Sequence, residues 1–271
     1  MDMVGIHFEA LTGETTIIQR KRAYSALEQA MERHGIAITY YAMSSMDQKR
    51  GHYKKYGGSW HKKRLQKGFG EIDSLGFCAN PANSNAPAYD WTATANFGWT
   101  VKTKLTVLLP IENCDLEGPE YRETLEAFSA LADWDYGWVA IGDRNKGIAP
   151  YTSGDYNDGR LPKEETERLN LWYVSSYQDT EKRLTHLRDV FLNNFITDSH
   201  LEFPLFGKTL KDFIRKDKSS TLSPLSNKVW LWKIKAKSLS KIREKIVPSG
   251  LLLSRPNENS KPSLFKRFNI F

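Results

Sequence analysis

The chain has 271 residues, 40% of them hydrophobic and 12% aromatic, which is enough to fill a core without disulfide bonds. Its 39 Lys and Arg against 32 Asp and Glu give a net charge of +7, which favours an anionic partner: nucleic acid, anionic lipid or an acidic protein. No apolar run approaches the roughly 20 residues that span a bilayer, the N-terminus lacks a signal-peptide pattern, and Cys78 and Cys114 have no CxxC spacing. We therefore expect a cytoplasmic protein with reduced cysteines.

A strand-helix-strand rhythm occurs three times along the chain. Because each such unit lays a helix over the apolar face of a sheet, the rhythm predicts an α+β fold with mixed or antiparallel sheets covered by helices. The strands that flank the three helices are expected at residues 4–8 and 36–40, 101–109 and 137–141, and 229–234 and 251–253.

The first unit combines a strand of period two with an amphipathic helix. Apolar residues alternate at 4, 6 and 8, which places His7 on the opposite face of the strand. A helix is predicted over residues 21–34, and Gly35 stands where a left-handed C-terminal cap belongs.

The second unit has the clearest signals. Strand alternation over 101–109 is followed by Gly118-Pro119-Glu120, where proline suits the first helical position and an acidic residue suits the first turn. Tyr121, Leu125 and Phe128 form the buried stripe of this helix.

The second half contains further elements. We predict a strand at 169–175, a helix at 180–193 and a short helix at 209–216. In the third unit Ser238 is the expected N-cap of a helix, and Trp230 and Trp232 share one face of the preceding strand.

The stretch 143–162 is rich in Gly and Asp and divides the chain. We expect an N-terminal α+β unit at 1–145, a C-terminal α+β unit at 163–255 and a flexible tail at 256–271. One continuous sheet through both units is the alternative.

The strongest functional signal is a basic aromatic segment within an expected irregular stretch, residues 46–74. Its cations could neutralise phosphates while its rings stack on bases, or it could match an acidic protein; alternatively it is a solvated loop whose rings pack back onto the body. The candidate binding residues are Lys49, Arg50, Tyr53, Lys54, Lys55, Tyr56, Trp60, His61, Lys62, Lys63 and Arg64.

Motifs for catalysis, metals and cofactors are absent. The six histidines are scattered, and residues 154–159 (GDYNDG) resemble a calcium loop but place Gly154 and Tyr156 where carboxylates are needed. Neither GxSxG nor a phosphate loop occurs. Asp133 and Asp135 lie beside aromatic residues, which could raise a carboxyl pKa, although such residues more often end a helix. We predict no catalytic residue, no metal and no cofactor.

The second half is similar in style to polymorphic-toxin immunity proteins of bacteria. The similarity rests on residues 187–195 (LRDVFLNNF), 209–214 (TLKDFI), 230–232 (WLW) and 249–252 (SGLL). It implies a cytosolic α+β protein without catalytic residues that blocks a cognate toxin by binding it, and it transfers no site residues. The positive charge would then imply an acidic toxin surface.

Three functions therefore follow from the sequence. The first is a non-enzymatic protein that binds one acidic partner, an immunity-type inhibitor. The alternative is a nucleic-acid-binding protein that uses the same basic segment, residues 49–67. The third is an enzyme whose site is assembled from distant residues.

Overall fold

The strand β1, Asp2–Ala10, lies at the centre of the fold. It pairs antiparallel with β6 (Thr103–Pro110) on one side and with β7 (Tyr136–Asp143) on the other. The computed structural model describes residues 1–11, 15–44, 54–70, 72–79, 92–97, 103–154, 159–178 and 181–255.

One large antiparallel sheet organises the described chain. Its ten strands follow the order β11-β12-β8-β7-β1-β6-β5-β4-β2-β3, and β9 and β10 form a separate hairpin. This open sheet with its covering helices confirms the predicted α+β class. The remaining strands are β2 (Tyr40–Ser44), β3 (Lys54–Lys55), β4 (Ser74–Cys78), β5 (Thr92–Phe97), β8 (Asn193–Ile196), β9 (Pro204–Leu205), β10 (Lys208–Thr209), β11 (Ser220–Pro224) and β12 (Trp230–Ile234).

Helices cover both faces of the sheet. Even-numbered residues of β1, such as Val4 and Phe8, pack in one core with the first and third helices of the chain. Met3, on the opposite face of β1, packs in a second core with the helices that follow β7. The period of two along β1 explains why one strand serves two apolar layers. The helices are α1 (Ile17–Arg33), α2 (Ser59–Gln66), α3 (Pro119–Ser129), α4 (Ile148–Ser153), α5 (Lys163–Gln178), α6 (Asp198–Leu201), α7 (Leu210–Lys216) and α8 (Leu239–Ile246).

The predicted helix end at Gly35 and helix start at Pro119 are confirmed, whereas α1 begins at Ile17, four residues before the predicted start at residue 21. Thr16 caps α1 through a capping box with Gln19, and Gly35 adopts a φ of +66° just after the helix. Pro119 opens α3 after Gly118, as predicted. Ser238 takes the N-cap position of α8 but makes no capping hydrogen bond with its side chain.

Two predicted elements of the second half are wrong. Residues 169–175 belong to α5 rather than to a strand, because Leu169 and Trp172 are buried at helical spacing. In place of the helix predicted over 180–193, the described residues 181–193 form only a short 3-10 helix, Glu181–Leu184, and then run irregularly into β8. Tertiary contacts override local propensity there, since the Leu187 N–H donates to the Leu251 carbonyl at 3.0 Å.

Two predicted strands are also displaced or reduced. The strand expected at 36–40 begins only at Tyr40, the first residue of β2. The strand expected at 251–253 is a single parallel bridge between Leu187 and Leu252. In both places the apolar run predicts a longer strand than the one that forms.

Buried charges link the sheet to the later helices. His7 and Glu9 have no solvent-accessible surface, and the Glu9 carboxylate lies 3.3 Å from the Arg183 guanidinium. Burial opposes ionisation of Glu9, but Arg183 and His7 hold its pKa well below the usual range. Arg183 also lies 4.1 Å above the ring of Trp172. These buried groups connect the central strand of the sheet to the segment that follows α5.

Strands from both halves of the chain share the large sheet, since β8 pairs with β7. The division into units at 1–145 and 163–255 stays a prediction, and the tail at 256–271 lies outside the described residues. Cys78 and Cys114 are buried free thiols. None of the helices in the described ranges is long and apolar enough to cross a membrane.

Candidate partner-binding surface

The basic aromatic segment is largely regular structure. Lys49, Arg50 and Tyr53 lie outside the described residues, and the other candidates lie in β3, in α2 or in the turn between them. The prediction of an irregular stretch is therefore wrong here: Gly57, at a φ of +70°, lies in the turn, and Gly58 is the N-cap of α2.

A hydrogen-bonded network fastens α2 to α1. The Gly57 N–H donates to Nδ1 of His61 at 3.1 Å, so the neutral ring carries its proton on Nε2, which lies 2.9 Å from the Tyr24 hydroxyl. Tyr24 in turn donates to the Glu28 carboxylate at 3.2 Å, and Tyr56 donates to the same carboxylate. One carboxylate thus accepts hydrogen bonds from two phenols.

The environment favours the protonation states that this network needs. Burial and the nearby Glu28 carboxylate raise the pKa of Tyr24, and they raise the pKa of Tyr56 to about 12. Burial lowers the pKa of His61. Both phenols therefore stay donors and His61 stays neutral at pH 7.

The rings of this network pack against the body. His61 lies 4.4 Å from Tyr41 and 4.6 Å from Tyr56, and Tyr56 meets Phe77 edge-on at 5.9 Å. Two of the predicted contact residues, Tyr56 and His61, therefore serve to anchor the surface rather than to present a free ring.

The outer face of α2 is cationic around one exposed indole. Trp60 is 70% exposed, and the Lys63 ammonium lies 6.0 Å from its ring centre. Arg64 is half-buried. Lys54 and Lys55 on β3 and Lys62 and Lys63 on α2 are exposed as well. We call Trp60 and these four lysines the α2 surface.

The other candidate groups have structural roles. Asp135 accepts a hydrogen bond from the Leu11 N–H at 2.7 Å, and burial raises its carboxyl pKa, whereas Asp133 pairs with Lys228 at the surface. Trp232 is buried in the core next to Ile242. Within the described ranges no cluster of His, Cys, Asp and Glu could hold a metal ion.

A second cationic region was missed from the sequence. Residues 208–245 contain 12 Lys and Arg against three Asp and Glu, an excess of +9 that exceeds the net charge of the whole chain. The lysines are spaced along several elements instead of forming a run, so a search for charge runs overlooks them. Five of them line one pocket between α7 and α8, at the far end of the sheet from the α2 surface.

Fold and surface together define an α+β protein with an open antiparallel sheet and exposed cationic regions. No protein-family model matches the chain, and no curated protein matches it. Among solved structures the chain is similar to the Pseudomonas aeruginosa T6SS protein PA0821, with a TM-score of 0.58 and 13% sequence identity over 93% of this chain and 76% of that one. At this identity the similarity shows a shared fold.

Proposed function

We propose that this protein is an immunity-type inhibitor that acts in the cytoplasm and neutralises a toxin by binding an acidic face of it through the α2 surface. The observation that carries the proposal is Trp60, 70% exposed among lysines on a helix that a buried network holds in place. An exposed tryptophan on a rigid support is typical of the residues that dominate protein interfaces.

The orientation of the rings favours a protein partner over nucleic acid. A protein that stacks the bases of single-stranded DNA or RNA on its side chains needs several exposed aromatic rings in succession. Tyr56 packs inward against His61 and Phe77, which leaves Trp60 as the ring that this helix presents. A single aromatic anchor with a charged rim matches the anatomy of a protein interface.

Two similarities support a toxin-related role. The second half resembles immunity proteins in sequence style, and the fold is shared with a protein named as a T6SS protein. Neither similarity identifies the partner, so the proposal depends on the physical character of the surface.

The test is neutralisation of the candidate toxin encoded by the adjacent gene. Cells that express the toxin should grow only when this protein is co-expressed. The double variant W60A/K63E should lose protection, because it removes the aromatic anchor and reverses one charge. The matched control is I18A/K21E on α1, which changes an isoleucine that is 65% exposed and an exposed lysine at the same spacing.

Equal protection by W60A/K63E and by the wild type would count against the α2 surface. The nucleic-acid alternative is tested by titration with single-stranded DNA and RNA at several salt concentrations, since phosphate binding weakens steeply as salt rises. Salt-sensitive binding that W60A/K63E abolishes, together with no protection against the toxin, would replace our proposal with that alternative.

A further inference from the structure

A concave site of about 550 Å³ lies between the β9–β10 hairpin, α7 and α8. Five exposed lysines line it together with the exposed ring of Phe206 and the half-buried Phe213, and the buried residues Leu205 and Ile242 also border it. We call this site the lysine pocket. Its lysines are Lys208, Lys216, Lys218, Lys241 and Lys245.

The sequence builds this site from two amphipathic helices. Thr209 and Asp212 form a capping box that starts α7, and Leu210 and Ile214 bury its inner face. In α8, Ile242 and Ile246 are buried, so Lys241 and Lys245 project together on the exposed side one turn apart. Well-defined helices therefore hold the cations around a common centre.

The positive charge of the pocket is only partly neutralised from within. Asp217 is the acid that lines it, and its carboxylate accepts a hydrogen bond from the Ser219 N–H at 2.7 Å. Partial burial opposes ionisation, yet these hydrogen bonds and the ammonium groups of Lys245 and Lys241 lower the pKa of Asp217. Lys208 and Lys216 face each other closely enough that Lys216 lowers the pKa of Lys208. Like charges this close favour an anion between them.

Phe206 stands at the rim in an unfavourable backbone conformation. It is 62% exposed at a φ of +52°, and Gly207 follows at +74°. Two successive positive φ angles suit a two-residue hairpin turn, in which asparagine or glycine is usual and a bulky residue is strained. The ring gains little burial in return, and strain of this kind is concentrated at functional sites.

We propose that the lysine pocket binds an acidic polypeptide segment of the partner, with carboxylates on the lysines and an apolar side chain against Phe206 and Phe213. The inference deepens the proposed function and rests on its premise that the partner is a protein. The ring of Phe206 decides between ligands: phosphates would satisfy the lysines but leave this ring, which is 62% exposed, in contact with water, whereas a peptide supplies both kinds of group.

The test measures fluorescence anisotropy with the full chain and a labelled peptide, Asp-Glu-Asp-Leu-Phe-Asp-Glu-Asp. One control peptide replaces Leu-Phe by Ser-Ser, and another replaces the acids by their amides. We expect each control peptide to bind the wild type at least about tenfold more weakly, because each removes one of the two complementary features.

Variants then locate the site. K208Q/K216Q and, separately, F206G should each weaken binding of the acidic peptide about tenfold, whereas R215Q/K237Q should stay within about twofold. The last variant removes the same charge from exposed positions outside the pocket. An equal loss in R215Q/K237Q, unchanged binding by F206G, or no binding by the wild type overturns the inference. So does tighter binding of oligothymidine that K208Q/K216Q abolishes.

The outcome is separable from the proposed function. A K208Q/K216Q variant that neutralises the toxin as well as the wild type overturns the role of the lysine pocket and leaves the α2 surface intact. Failure of the wild type to neutralise the toxin overturns the proposed function, whether or not the acidic peptide binds.

Discussion

The two cationic regions lie at opposite ends of the sheet, with roughly 40 Å of strands between them, and they use their aromatic residues in opposite ways. At the α2 surface Tyr56 and His61 turn inward and one indole remains outside. At the lysine pocket the strained Phe206 is 62% exposed at the rim. Charge alone is therefore a poor guide to a binding site, because the packing of the underlying side chains determines which aromatic groups are exposed beside the cations.

The largest expected effect is on the support of the α2 surface. Replacing Glu28 by Ala leaves the hydroxyls of Tyr24 and Tyr56 without their shared acceptor, and we expect the free energy of unfolding to fall by about 3 kcal/mol. Urea titration measures it. The control E32A, one turn later on the exposed side of α1, should change stability by less than about 0.5 kcal/mol. Similar losses in both variants would show that the network does not support α2.

The second effect separates binding from stability. W60A should weaken toxin binding by at least about 2 kcal/mol, or roughly 30-fold, because an exposed tryptophan at the centre of an interface dominates its energy. Its unfolding free energy should change by less than about 0.5 kcal/mol, since Trp60 is 70% exposed. Calorimetric titration against the toxin and urea unfolding measure the two quantities. If W60A lost stability but kept its affinity for the toxin, Trp60 would be a structural residue and not a binding residue.

Acid should lower the free energy of unfolding through the buried His200 of α6, a helix that contacts α7 of the lysine pocket. Burial lowers the pKa of His200 from 6.5 to about 4, so the unfolded chain binds the proton first as pH falls. Stability from this group is complete above pH 6.5 and is lost towards pH 4, which amounts to about 2 kcal/mol between pH 7 and pH 5.

Urea unfolding of the wild type and of H200Q at both pH values measures this loss. Because glutamine does not titrate in this range, H200Q should lose clearly less stability on acidification than the wild type. An identical pH dependence would exclude His200 as the cause.

The smallest effect is a gain in stability at the lysine pocket. F206G relieves the positive φ of +52° and should raise the unfolding free energy by about 1 kcal/mol. The control F206A removes the ring but keeps a Cβ in the same conformation, so it should not stabilise. Thermal unfolding of both variants decides the matter, and stabilisation by F206A alone would argue against backbone strain.

Sequence reasoning succeeded where the signal was local. Gly35 and Pro119 mark helix ends through their own backbone chemistry, and β1 shows its two faces through simple alternation. It failed at residues 169–175, where the apolar run of the partly buried helix α5 looks like a strand, and for the helix predicted at 180–193, where contacts of residues 187 and 188 with residues 251–254 hold the chain irregular.

For the candidate surfaces, the α2 cations could be found as a charge run, but the inward turn of Tyr56 and His61 could not, because Glu28 and Tyr24 come from another helix. The lysine pocket could not be predicted from the sequence, since its five lysines are spread between residues 208 and 245.

The sequence by itself determined the α+β class, the capped helices, the reduced cysteines and the excess of positive charge, because these depend on composition and on neighbours within a few residues. Only the tertiary structure decided which rings are exposed, which cations converge and that strands of both halves form one sheet. Those features depend on contacts between residues far apart in the chain, and the sequence pattern within a few neighbouring residues does not indicate such contacts.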